Sequence, residues 1–234
     1  MKYQFDFEAL DTDLDRNETQ RANTLNAIET LDVHEPGMRE RMGASVLQLV
    51  RPRGGFALSA YNDRFTFALM LLKSGAIVPP GEEGWNKLLS TKIRLNDTDD
   101  GSDDKGCIQI PKAAELALPF AVIQHRLHVS EVAQLLQLFV ENGLDPNLTD
   151  GRQQGLLLHV CLAYRRKDAL EVLLHAGADV NHRCYRGLTV DERLIDAQSG
   201  TAPDKQERLQ AIAAWRSKQA VAAVLTRAKL AKKQ

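Results

Sequence analysis

The stretch ALEVLLHAGADVN, residues 169–181, decides how the rest of the chain is read. It is an apolar helical stripe that ends in a glycine, then a small residue, then turn chemistry in Asp-Val-Asn. Two other stretches align with it: FALMLLKSGAIVP at 67–79 and LQLFVENGLDPN at 136–147. The shared glycines are Gly75, Gly143 and Gly177, so the separations are 68 and 34 residues, the first twice the second. A helix that stops this way needs a residue tolerant of the left-handed conformation just past its last turn, and glycine takes it without a Cβ clash. The spacing predicts a repeated helical unit of about 34 residues.

Outward from that core, TDGRQQGLLLHVCLAYRRKDALEVLLHAGADVN (149–181) carries one full unit. The next begins at YRGLTVDERL (185–194). Upstream, 43–50 and 62–74 read as a helix pair, as do 112–126 and 130–142, with Pro119 kinking the first of these or marking its true start. Ser130 is placed to cap the second. Gly84-Trp85 opens a further unit with a short helix over 86–94. Its second helix is missing, because the register calls for a closing glycine near 109 and NDTDDGSDDKGCIQI stands there instead. Residues 15–31 read as a helical N-terminal cap. Beyond Pro203 one long helix is expected, with Leu209, Ile212, Ala213, Val221, Val224 and Leu225 on its apolar side.

This pattern resembles the ankyrin repeat, most closely over 130–190. LLHAGADVN matches the family's second-helix ending. Leu156-Leu157-Leu158-His159 stands where the family has Thr-Pro-Leu-His, so only the leucine and histidine survive, and Gly187-Leu188-Thr189-Val190 stands at the Gly-x-Thr-Pro opening. The resemblance implies an all-α solenoid of stacked helix-turn-helix units in a single domain. Residues 1–40 would be an irregular N-terminal cap, 41–80 a degenerate repeat and 81–110 a truncated repeat with the acidic loop. Repeats follow at 111–147 and 148–181, and 182–234 holds the last repeat and a long capping helix. His159 is expected to hydrogen-bond locally near the start of its helix.

Composition narrows the function. The 234 residues carry a net charge of −1 with 44% hydrophobic residues, so no overall field draws the chain to nucleic acid or to a membrane surface. The ends differ: 1–40 holds ten acidic against four basic residues, and 204–234 two against eight. The opening MKYQFDFEALD lacks a signal-peptide core, and no apolar run is long enough for a bilayer. Three scattered cysteines without CxxC suit a reducing compartment, so a cytoplasmic location is expected.

No catalytic constellation emerges, and neither a cofactor nor a metal is expected. The phosphate-binding, dinucleotide and nucleophile-elbow motifs are absent. His125 and His128 share a helical spacing but lack the partners of a zinc site. Cys161 lies two residues from His159, which points the two side chains apart on a helix. It reads as a small core residue, whereas Cys184 lies in an exposed-looking turn. In Asn96–Gly106, placing Gly101 at the sixth position of a calcium loop puts Cys107 at the twelfth, where a bidentate carboxylate is required. A looser calcium site, a solvated insertion and a surface for a basic partner remain open there.

The resemblance implies a non-catalytic protein-interaction module. Stacked repeats bind through concave faces and loops. The candidate contact residues are Trp85, the loop carboxylates Asp97, Asp99, Asp100, Asp103 and Asp104, and the turn residues Arg152, Gln153 and Gln154. Tyr164 and Arg165 follow the first helix of the clearest repeat, and Arg183, Tyr185 and Arg186 lie in the next turn. Tyr and Arg are enriched at binding hot spots. Trp85 is either an exposed anchor or a packed cap. Some small bacterial ankyrin proteins neutralise a cognate toxin as immunity proteins, and a basic toxin or enzyme is the partner this reading expects. The alternative is a bacterial effector or enzyme regulator with a cryptic active site in residues 1–60.

Overall fold

The structure is a computed structural model. It describes residues 5–7, 10, 18–51, 58–94, 115–124, 129–149, 157–163, 166–184, 187–190 and 192, together with 206, 209–210, 212–214 and 216–217. These residues are mostly helical and fall into two compact units, one ending at Leu144 and the other beginning at Asp145.

In the first unit, α1 (Glu18–Glu29), α2 (Met38–Leu49) and α3 (Leu58–Lys73) precede α4 (Trp85–Ser90). A ribbon of β1 (Lys92–Arg94) and β2 (Glu115–Ala117) leads into α5 (Leu118–Gln124) and α6 (Val129–Glu141). The run Phe65-Thr66-Phe67-Ala68-Leu69-Met70-Leu71-Leu72 has no polar stripe, and a helix apolar all round must be covered on every side. Accordingly α3 is the central helix, buried from Arg64 to Leu72 and packed by α1, α2 and α6. The covering helices show a narrower pattern. In α6 the buried residues are Val132, Leu135, Leu136 and Phe139, the 3–4–7 spacing of one helix face. Helix α1 is polar around most of its circumference and buries only Ile28. An ion pair from Arg21 to Asp63, 2.8 Å, ties it to α3.

At the end of α3, Lys73 pairs with Glu131 in the first turn of α6. A cation at a helix C-terminus and an anion at an N-terminus each complement the local dipole, so the pair suits both ends it joins.

The second unit pairs α7 (Leu157–Ala163) with α8 (Lys167–His175). Ala169, Leu170, Leu173 and Leu174 form the buried face of α8. The described positions from 206 to 217 are helical, with Ile212 fully buried and Ala213 exposed. Ala213 therefore leaves the apolar stripe expected for it, while Val221, Val224 and Leu225 lie outside the described residues.

The three glycines of the register end their helices with the same hydrogen bonds. Gly75, Gly143 and Gly177 have φ of 93°, 96° and 92°. Each donates its N–H three residues back, to Leu72, Val140 and Leu174, at 3.1, 3.2 and 3.0 Å. The next residue donates five back: Ala76 to Leu71, Leu144 to Phe139 and Ala178 to Leu173, at 3.1, 2.9 and 3.0 Å. This is the Schellman arrangement, and it satisfies carbonyls that the helix end leaves open. The residue after each glycine is buried, so each cap also turns the chain back against its own unit.

Several expectations need correction. The helix read over 86–94 ends at Ser90, and Lys92–Arg94 is a strand. The helix read over 112–126 begins only at Leu118. Residues 115–117 are its strand partner, and Pro119 marks the true start. Proline at the second helical position loses no intrahelical bond, which explains the boundary. Ser130 lies inside the first turn of α6, which starts at Val129, so it is not the cap.

Gln124 closes α5 with its side chain 6% exposed, and neither its Nε2 nor its Oε1 has a hydrogen-bond partner. A buried amide without partners costs about 1–3 kcal/mol relative to an apolar side chain of the same shape. Gln124→Met is therefore expected to raise the urea midpoint by an amount equivalent to about 1 kcal/mol with an unchanged m-value. A lowered midpoint would mean that the amide is satisfied in solution.

Candidate interaction surface

The acidic insertion leaves and rejoins the first unit at a single point. Lys92 pairs with Ala117, Ile93 with Leu116 and Arg94 with Glu115 in antiparallel register. The N–H of Leu118 donates to the Thr91 carbonyl at 3.0 Å, which extends the pairing to the first residue of α5. Ile93 is fully buried and roots the ribbon in the core, with α5 packed against both strands. Opposed residues in such a pair hold their Cα atoms about 4.5–5.5 Å apart. The segment 95–114 is thus carried on a two-stranded stem. Asp97, Asp99, Asp100, Asp103 and Asp104 lie in that segment, outside the described residues.

Trp85 is the first residue of α4 and is 5% exposed. Its ring meets Phe139 of α6 edge-to-face, with centroids 6.2 Å apart. Its backbone N–H donates to the Pro79 carbonyl at 2.9 Å, closing the turn through Gly81 and Gly84. Of the two roles open to it, the packed one is what the structure contains, and Trp85 offers a partner almost no surface.

That turn is also fastened to α2. The Ile77 N–H donates to the Arg39 carbonyl at 2.9 Å, and the Arg39 Nε donates to the Gly75 carbonyl at 2.7 Å. Ile77 itself is 41% exposed. Beyond it Pro79, Pro80, Gly81, Glu82 and Glu83 are all at the surface.

In the second unit, Arg183 is exposed but engaged. Its Nη1 donates to the Gly187 carbonyl and to Glu192 Oε2, the latter at 3.1 Å. Glu192 Oε2 also accepts the Thr189 N–H at 2.8 Å. A glutamate three residues after a threonine, reaching back to its N–H, is half of a capping box. The Thr-x-x-Glu spacing in LTVDE is the signal that finds it. Arg183 thus shapes the 183–192 turn, and a partner would have to compete with Glu192 for its guanidinium. Arg152, Gln153, Gln154, Tyr164, Arg165, Tyr185 and Arg186 fall outside the described residues, as do His125, His128 and Cys107.

One link the sequence reading missed joins the two Asp-x-Asn turns. Within each, the aspartate Oδ1 accepts the asparagine N–H, at 2.8 Å for Asp145–Asn147 and 2.9 Å for Asp179–Asn181. Asn147 Oδ1 then accepts the Asp179 N–H at 2.7 Å. One turn is hydrogen-bonded to the equivalent turn of the following unit. The recurrence of Asp-x-Asn at 34 residues is the sequence trace of this contact.

His159 is fully buried in α7, and its Nε2 lies 3.2 Å from the His182 carbonyl. A carbonyl only accepts, so Nε2 carries the hydrogen. The expected local bond near the helix start is replaced by one that spans 23 residues and anchors the loop after α8. The His159 and His182 rings sit tilted, 6.1 Å between centroids.

Cys161 is 1% exposed and Cys184 3%. The expectation of an exposed turn at Cys184 is overturned. Its N–H donates to Leu188 O at 2.9 Å and its carbonyl accepts from Gly187 at 2.7 Å, which folds the side chain inward. Burial pushes the Cys161 thiol far above its ordinary range, against the opposing pull of the Arg166 charge. The thiolate is the reactive species. Cys161 and Cys184 are therefore expected to resist maleimide at pH 8 in the native protein and to label in denaturant, resolved by peptide mapping. Because folding raises the Cys161 pKa, the folded state holds its proton where the unfolded thiol loses it. Stability is then unaffected below pH 9.0 and falls above it, by up to about 1.4 kcal/mol per pH unit. Native labelling of Cys161 at pH 8 would contradict the burial.

Residues 1–60 contain one histidine, His34. It lies exposed in a turn where its N–H donates to Asp32 Oδ1 at 3.1 Å. Among the described residues no three His, Cys, Asp or Glu side chains gather in one place, and no helix is long and apolar enough to cross a membrane. No family model matches the chain, and no curated protein matches it.

Proposed function

We propose that this chain is a non-catalytic, ankyrin-type binding protein that occludes one basic protein partner. The observation that carries the reading is the repeated helix ending at Gly75, Gly143 and Gly177, joined in the second unit by the Asn147–Asp179 contact. Units that close alike and hydrogen-bond turn to turn are what a stacked-repeat solenoid requires. Such scaffolds leave their loops free for recognition.

The partner's charge follows from the insertion. Its five aspartates stand against two lysines on the stem formed by β1 and β2. A concentrated negative loop raises the encounter rate with a basic protein by about 10–1,000-fold, and salt erases the gain. A nucleic-acid-binding toxin or enzyme has the matching surface, and the loop would stand in for its polyanion. This makes a toxin-neutralising immunity protein the specific form of the proposal, acting in the cytoplasm.

The test compares the wild-type chain with a variant in which Asp97, Asp99, Asp100, Asp103 and Asp104 are all asparagine. Each is used as bait in lysate of the source cells at about 50 mM and about 500 mM salt, where the screening length falls from about 14 to about 4 Å. A basic protein retained by the wild type at low salt and lost by the variant is the expected result, followed by association rates on the purified pair. A retained partner whose association rate is the same for both baits would remove the loop from the interface. Recovery of turnover on a small substrate would overturn the binding role itself.

A further inference from the structure

We draw no further inference here: the strongest candidate, the exposed Asn181 side chain at the end of the Asp-x-Asn turn contact in the second unit, lies next to the Val180 carbonyl that Arg216 approaches, and nothing in the structure shows what would cover it.

Discussion

Gly43→Ala is expected to destabilise the first unit by about 3 kcal/mol or more, although alanine is the better helix former. Gly43 lies within α2, where the chain after Gly75 crosses it. A Cβ built on Gly43 would come within 2.6 Å of the Ile77 carbonyl carbon, closer still to its oxygen, and 3.2 Å from the Val78 nitrogen. These are backbone atoms, so no rotamer change relieves the clash. The Ile77 N–H to Arg39 O bond and the Arg39 Nε to Gly75 O bond hold the crossing segment in place. To admit the methyl group, that segment must move and weaken both. Helix propensity offers about 1 kcal/mol in favour of alanine, whereas overpacking against mobile side chains already costs about 1–3 kcal/mol. The clash therefore decides the sign. At about 2–4 °C per kcal/mol, the melting temperature should fall by about 10 °C. Ala44→Gly, one residue along at an exposed position, is the control and should lose only about 1 kcal/mol. If Gly43→Ala melts at or above the wild-type temperature, the 76–78 segment does not lie across α2. Gly84→Ala repeats the test at the Trp85 turn, where the added Cβ would come within 2.5 Å of the Pro79 carbonyl carbon.

The second large effect is expected at His159. Truncation to alanine removes a fully buried ring and the donor to the His182 carbonyl together. Loss of a ring-sized side chain and a buried hydrogen bond sums to about 3–5 kcal/mol. His159→Leu separates the two contributions, because it keeps most of the volume and loses only the bond, for about 1–3 kcal/mol. The loop offers a local readout. Cys184 lies two residues beyond His182 and is buried only while the loop is docked. In His159→Leu, labelling of Cys184 should rise about tenfold or more, while Cys161 inside α7 stays protected longer. A fold-wide loss of stability would expose both thiols equally. Cys184 as slow to label as in the wild type would show that the His159 bond does not hold the loop.

The parts of the fold legible in the sequence are those whose cause is local. A glycine that must take positive φ marks its own position, so 75, 143 and 177 could be read directly, and all three end helices as expected. The 3–4–7 spacing of α6 and the unbroken apolar run of α3 state how much of each helix is covered. Pro119 was informative as well, since one of the two roles left to it is the one it occupies.

What was not legible depended on residues far away. Strand pairing between 92–94 and 115–117 has no local signature, because three-residue strands carry too little alternation to stand out from the neighbouring helices. Trp85 and Cys184 sit in segments rich in glycine and charge, and such composition suggests exposure. Each is buried because a turn closes over it, Pro79 to Trp85 in one case and Cys184 to Leu188 in the other. Of the candidate contact residues, only Trp85 and Arg183 lie among the described ones. Both have structural partners, Phe139 for the first and Glu192 for the second.

By itself the amino-acid sequence determined where helices end, which faces are apolar and where the negative charge is concentrated, since these follow from backbone sterics, side-chain hydrophobicity and residue count. Only the tertiary structure decided that the acidic segment rises from a paired stem, that His159 reaches the loop after the next helix, and that Asn147 bonds to the turn after its own. Those contacts join groups more than 20 residues apart. They exist only once packing has brought the groups together, so no short window of sequence contains them.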